Sequence, residues 1–232
     1  MGKRGRPRTE GNCTYCGQFA ELTVDHVIPR CLFNGAVPGD APRVLACQKC
    51  NGNAKSADDA FLRDMLVRDA RLAANPIAQD IRHGALARAN TRGQSQYLRQ
   101  STNVRAVPSP TGSGLVIFEP VLPVERVRPI FMRLVRGLLL AYERYELTLE
   151  ANVDVLRAHD SAVALAEAQH WASDTSGMVH TVQAGDGSVF WGVYYHTHSQ
   201  DQPNLSMWWL RFYERVVYWV GTDMSNPSLG KF

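Results

Sequence analysis

The chain has 232 residues, 45% of them hydrophobic, and a formal net charge of +3. It can bury a core in one large domain or two small ones, which excludes a disordered or fibrous protein. Apolar runs such as 137–141 are far short of the ~20 residues that cross a bilayer, and no signal-like stretch follows Met1. A membrane protein and a secreted disulfide scaffold are both set aside, and a cytoplasmic protein is expected.

The charge is unevenly spread. Up to Arg105 there are 16 Lys+Arg against 9 Asp+Glu, and beyond it 9 against 13. A basic first part and a mildly acidic second part point to a polyanion partner for the first alone. Residues 1–12 carry Lys3, Arg4, Arg6 and Arg8 among Gly and Pro and no apolar cluster, the composition of a disordered basic arm. Its core, Arg4-Gly5-Arg6-Pro7, resembles an AT-hook, which enters a narrow A·T minor groove; a general phosphate-binding tail reads equally well.

Residues 13–75 hold the most specific signal. Cys13-x-x-Cys16 and Cys47-x-x-Cys50 are separated by 30 residues. Two such knuckles can place four thiolates tetrahedrally around a structural Zn²⁺. In a reducing compartment this reading is favoured over two disulfides. Cys31 is left over, as a small buried apolar residue. Between the pairs, strands are expected near 20–25 and 43–46, joined by a loop marked by Pro29, Asn34-Gly35, Pro38-Gly39 and Pro42. A helix follows Cys50, capped by Ser56, with Asp58 and Asp59 in its first turn and Phe61, Leu62, Met65 and Leu66 at helical spacing.

A second basic helix is expected over about 76–90, within a helical extension 76–100, and Pro108, Pro110, Gly112 and Gly114 mark a linker over 101–114. The remainder, 115–232, reads as an α+β domain with an antiparallel sheet. It has a strand at 115–118 and a helix carrying Val127, Ile130, Phe131, Leu134, Leu138 and Tyr142 on one face, with Pro129 in its first turn or kinking it. Another helix is expected at 159–171, then strands near 178–183, 188–196, 206–213 and 216–222. His196 and His198 share a strand face but lack an evident third metal ligand. Trp208-Trp209 and Phe212-Tyr213 read as core packing rather than a base-stacking platform.

The chemistry lies between and just after the cysteine pairs, in Asp25-His26 and Asn51. His26, an imidazole that titrates near neutrality, suits a general base acting on water. The carboxylate of Asp25 and the amide oxygen of Asn51 suit a hard Mg²⁺ or Mn²⁺ that would stabilise a pentavalent phosphate. Four sulfurs close the zinc, so it would be structural.

These residues carry a resemblance. Cys13-x-x-Cys16, Asp25-His26-Val27-Ile28-Pro29-Arg30 and Leu45-Ala46-Cys47-x-x-Cys50-Asn51 look like an HNH endonuclease module of the ββα-metal fold, in its zinc-braced four-cysteine form. The resemblance covers residues 13–70. It implies His26 as general base, Asp25 and Asn51 as ligands of the catalytic metal, the four cysteines as zinc ligands, and a bacterial or phage setting. One position departs from the pattern: the family's middle Asn falls on Pro42, so a carbonyl of the 34–43 loop, or Asn34, would have to orient the histidine ring. The resulting expectation is a divalent-metal-dependent endonuclease acting on DNA. Lys3, Arg4, Arg6, Arg8, Arg30 and Lys55, with the basic helices, would contact phosphate, and 115–232 would support a homodimer. The rivals are a catalytically inactive zinc-finger DNA-binding protein and an RNA-directed nuclease.

Overall fold

The computed structural model describes residues 9–34, 36–88, 104–108, 116–120, 123–158, 163, 164, 166, 170, 179–197 and 200–223. Lys3, Arg4, Arg6 and Arg8, His198 and most of the expected helix at 159–171 lie outside them. The fold is α+β, as the sequence pattern suggests.

The first sheet has three antiparallel strands, β1 (Thr9–Asn12), β2 (Phe19–His26) and β3 (Arg43–Cys47), in the order β1-β2-β3. The last residues of the expected arm therefore form a strand, with Thr9 paired to Leu22 and Asn12 to Phe19. Helix α1 (Asn53–Val67) follows β3 directly and completes a ββα unit. It starts three residues before Ser56, which therefore does not cap it. Ser56 instead donates its hydroxyl to the Gly52 carbonyl from inside the helix. Gly52 takes the cap position because a Cβ there would sit 2.5 Å from the Gln48 carbonyl oxygen, so the knuckle can run into the helix only through a glycine.

Helix α1 stops at Val67, one residue after the last apolar position of its spacing, and a 3₁₀ turn over Ala70–Leu72 leads to α2 (Pro76–Arg88). Buried Asp69 organises this corner. It accepts the Arg71 backbone N–H at 2.9 Å and both Arg71 and Arg157 guanidiniums, which hold its carboxyl below the usual range against the effect of burial. Two of the arginines expected on phosphate are thus spent within the fold: Arg71 on Asp69, and Arg82 on the Val67 carbonyl. The stretch 101–114, expected as a linker, carries β4 (Val104–Pro108), which pairs with β5 (Val116–Pro120).

Helix α3 (Val124–Glu143) is the centre of the molecule. Pro129 lies in its second turn and the helix continues through it. One side packs on a five-stranded antiparallel sheet of order β6-β10-β9-β8-β7. Its strands are β6 (Val153–Arg157), β7 (Val179–Ala184), β8 (Phe190–His196), β9 (Ser206–Phe212) and β10 (Val216–Thr222). Phe131 meets Tyr218 at 5.0 Å and Phe212 edge-on at 6.3 Å between ring centroids. Trp208, Phe212 and Tyr213 are fully buried and Trp209 nearly so, which bears out the core reading of that cluster. The other side of α3 faces the finger. Gly137 lies so close to Val27 that an added Cβ would be 2.7 Å from it, and Arg133 reaches Asp58 and Asp59. Tyr213, at a hairpin corner with φ 49°, donates its hydroxyl to the Leu32 carbonyl at 2.9 Å. Buried residues from Cys13 to Val220 form one continuous cluster.

Candidate metal centre and adjoining hairpin faces

Cys13 and Cys16 lie on the turn between β1 and β2, Cys47 ends β3, and Cys50 lies on the turn between β3 and α1. Each pair closes on itself through the backbone. Gly17 N–H bonds the Cys13 carbonyl at 2.8 Å, and the N–H groups of Cys50 and Asn51 bond the Cys47 carbonyl at 3.0 and 2.9 Å. Gly17 sits at φ +67°, a conformation open to glycine at little cost, which turns the first knuckle back towards β2. The four sulfurs lie within 4.8 Å of one another. Burial works against ionisation of Cys13, but the N–H groups of Cys47, Cys16 and Tyr15 aimed at its sulfur outweigh it and lower its pKa to about 7. A compact sulfur tetrad fed by backbone donors fits a structural metal ion such as zinc. Among the described residues it is the one such cluster of His, Cys, Asp or Glu.

The β2–β3 hairpin presents two faces. Residues directly paired share a face, so Thr23 and Asp25 lie with Ala46 and Val44, and Val24 and His26 with Leu45 and Arg43. The first face looks onto α1. There Asp25, 3% exposed, accepts the Tyr15 hydroxyl on Oδ2 at 2.8 Å and the Lys55 ammonium on Oδ1 at 3.3 Å. Lys55 is itself buried and also pairs with Asp59, whose outer oxygen takes Arg133 at 3.3 Å. Burial pushes the Asp59 carboxyl above its ordinary range despite the cations around it. Lys55, expected on substrate phosphate, is therefore an internal partner of two carboxylates. Asn51 directs its amide N–H groups to Thr23 Oγ1 at 3.0 Å and the Val24 carbonyl at 3.3 Å, tying the second knuckle to β2. Asp25 and Asn51 are both on the α1 side of β2. In donor chemistry they suit a hard cation, and such an ion would displace Lys55 from Asp25.

The second face is open. His26 ends β2, half-buried, opposite Arg43. Its pKa is held below the ordinary imidazole value, first by burial and then by the positive charges of Arg43 and Arg30, both exposed. Asp25 and His26 thus lie on opposite sides of the strand.

Other expected positions are settled by local contacts. Asn34 donates to Asp80 at 3.1 Å. Cys31 is half-buried and gives its S–H to the Asp59 carbonyl, with burial raising its pKa to about 11. His196 is buried with Nδ1 2.6 Å from Glu143 Oε2 and Nε2 3.1 Å from the Pro203 carbonyl, so both ring nitrogens serve packing. Sequence reasoning missed Tyr15, Arg43 and Arg133. The Lys55–Asp59 spacing of four within a helix was a readable signal for the ion pair. Arg43 becomes visible only once the hairpin register is known.

No family model matches the chain, and neither a curated protein nor a solved structure does. Among the described residues no helix is long and apolar enough to cross a membrane.

Proposed function

We propose that this protein is a zinc-braced endonuclease of the HNH type that hydrolyses phosphodiester bonds in DNA. The observation that carries the reading is His26: a half-buried imidazole at a strand end, its pKa held below the ordinary value by burial and by two exposed guanidiniums. A neutral ring can accept a proton from water, while Arg30 and Arg43 supply charge for the phosphate. They also disfavour protonation of His26, so one arrangement attracts the substrate and leaves the ring free to take a proton, as a weaker base than an ordinary imidazole. The zinc tetrad keeps the hairpin and α1 in register, which fixes where the ring sits.

Asp25 and Asn51 would hold a divalent ion, which when bound supplies Lewis-acid stabilisation of the phosphate and the leaving oxygen. The carboxylate, amide and backbone ties around them set the position of β2 whether or not the ion is present. The test uses zinc-loaded protein with supercoiled plasmid in Mg²⁺ or Mn²⁺, beside His26→Ala. Conversion to open-circle or linear DNA that is lost in the variant is the expected result. Cleavage that persists in His26→Ala would sink the assignment.

A second reading has its own support, because both oxygens of Asp25 already have partners and Asn51 is bound to β2. On that reading the finger binds DNA without cutting it. Wild type and His26→Ala would then bind equally and leave the plasmid supercoiled in every metal.

A further inference from the structure

We propose that the cleft beside the open face of the hairpin binds an unpaired nucleotide adjoining the phosphate presented to His26. This rests on the nucleic-acid reading above. The cleft holds about 970 Å³, within the size range of ligand sites. One wall is the outer face of β2 and β3, with Val24 and Leu45. The other is the end of α3 and the segment after it, with Tyr142 and Leu149. Val24 is 59% exposed and Leu149 52% exposed. Of the eight large hydrophobic residues that the described part of the chain exposes, these four line this one cleft. Such a concentration of uncovered apolar surface marks a binding place rather than random exposure.

The polar groups suit the same occupant. Arg43 lines the cleft and is the direct cross-strand partner of His26, and Val24 of the cleft wall shares a strand face with His26, so the imidazole neighbours the cleft without lining it. Arg144 stands on the opposite wall, at φ 60°, where it ends α3. The two guanidiniums suit flanking phosphates. Asp40 and Glu146 also line the cleft; their carboxylates are acceptors fitted to the exocyclic amino groups of bases rather than to phosphate. Tyr142 supplies an aromatic surface against which a base can stack. A paired base cannot present its face to such a wall, so a strand must be single or locally opened to use it.

The test is fluorescence anisotropy with zinc-loaded, full-length protein in the absence of Mg²⁺. The probes are a short fluorescein-labelled single strand and the same sequence as a duplex. Single strand is expected to bind more tightly than duplex. Tyr142→Ala and Val24→Glu are each expected to weaken single-strand binding about tenfold or more, the scale of losing one base stack. Leu156→Glu changes an equally exposed apolar residue on β6, away from the cleft, and is expected to bind as wild type. Zinc content and circular dichroism establish that each variant is folded, with Leu45→Glu as a further cleft variant if one is not.

Cleft variants that bind the single strand as wild type would overturn the proposal. If they also cut plasmid normally, the cleft falls and the nuclease reading stands. Loss of binding in the cleft variants, with no cleavage by wild type in any metal, supports the cleft and removes the hydrolase. Failure of wild type to bind either probe removes both.

Discussion

At the level of single residues, His26 and Lys55 make opposite use of the same hairpin. The pKa of His26 lies below the ordinary imidazole value of about 6.5, because burial and then Arg43 and Arg30 disfavour the charged ring. On the proposed nuclease reading, the acid limb of kcat/KM should have its midpoint below that value. Arg43→Gln removes the largest charge acting on the ring, so the midpoint should rise. An NMR titration of the His26 ring protons reads this without relying on activity; no upward movement would remove Arg43 as a cause. The sign for stability follows from the same shift. The unfolded chain takes up the proton first, so the contribution is fully present above the unfolded value and is lost as pH falls through the folded one. Lys55 faces inward instead, between Asp25 and Asp59. Lys55→Met takes the ammonium from buried Asp25 and from half-buried Asp59, which keeps Arg133, and should cost about 3–5 kcal/mol in urea unfolding. It should also raise affinity for Mn²⁺, seen as a thermal shift at lower metal concentration than wild type needs. An unchanged midpoint in urea would show that the ion pair contributes nothing.

At the level of elements, the cysteine spacing and the apolar alternation around it predict β2, β3 and the helix after Cys50 because each is a local pattern. The start of α1 was not local: Gly52 is demanded by its approach to the Gln48 carbonyl, and Ser56 looked like a cap only in the absence of that contact. Strand β8 shows a subtler limit. Val189, Trp191, Val193 and Tyr195 alternate as a half-buried face would, and Val193 is fully buried, yet Trp191 and Tyr195 are only half-buried while Phe190 and Tyr194 on the other face are fully buried. Both faces are covered, so alternation alone does not say which one meets α3. Strands β1, β4 and β6 have too little apolar periodicity to announce themselves, and pairing partners supply what the sequence lacks. The contact that joins the finger to α3 is equally silent in sequence, since Gly137 sits inside an apolar helix run. Its role is close approach to Val27. Gly137→Ala should therefore destabilise the protein by about 1–3 kcal/mol through overpacking, although alanine is the better helix former. A chemical-denaturation midpoint at or above wild type would mean that Val27 yields without cost.

For the molecule as a whole, the sequence suggests a finger followed by a separate domain, and the packing joins them through α3. Arg136 donates to the Tyr15 carbonyl at 3.0 Å on one side and the Thr148 carbonyl at 2.7 Å on the other. Tyr213 reaches Leu32, and the Gly185 N–H reaches Asp40 Oδ1 at 3.0 Å. A structural metal in a small finger is worth ~10–16 kcal/mol of folding free energy. Here its removal should be felt beyond the finger, because the finger covers one side of the helix on which the five-stranded sheet is built. All five tryptophans lie at or beyond Trp171, and none is in the finger, so their fluorescence reports on the far part of the chain alone. Chelation of the metal should expose the four cysteine thiols and, in the same transition, shift tryptophan emission to the red as Trp208 and Trp209 lose their packing. If thiols become reactive while the emission spectrum stays fixed, the finger unfolds by itself, and the contacts through Gly137, Arg136 and Tyr213 carry little coupling. Coincident transitions would show that the metal site, some distance from the sheet in the chain, holds the entire core in place through α3 and through the direct contacts of Tyr213 and Gly185.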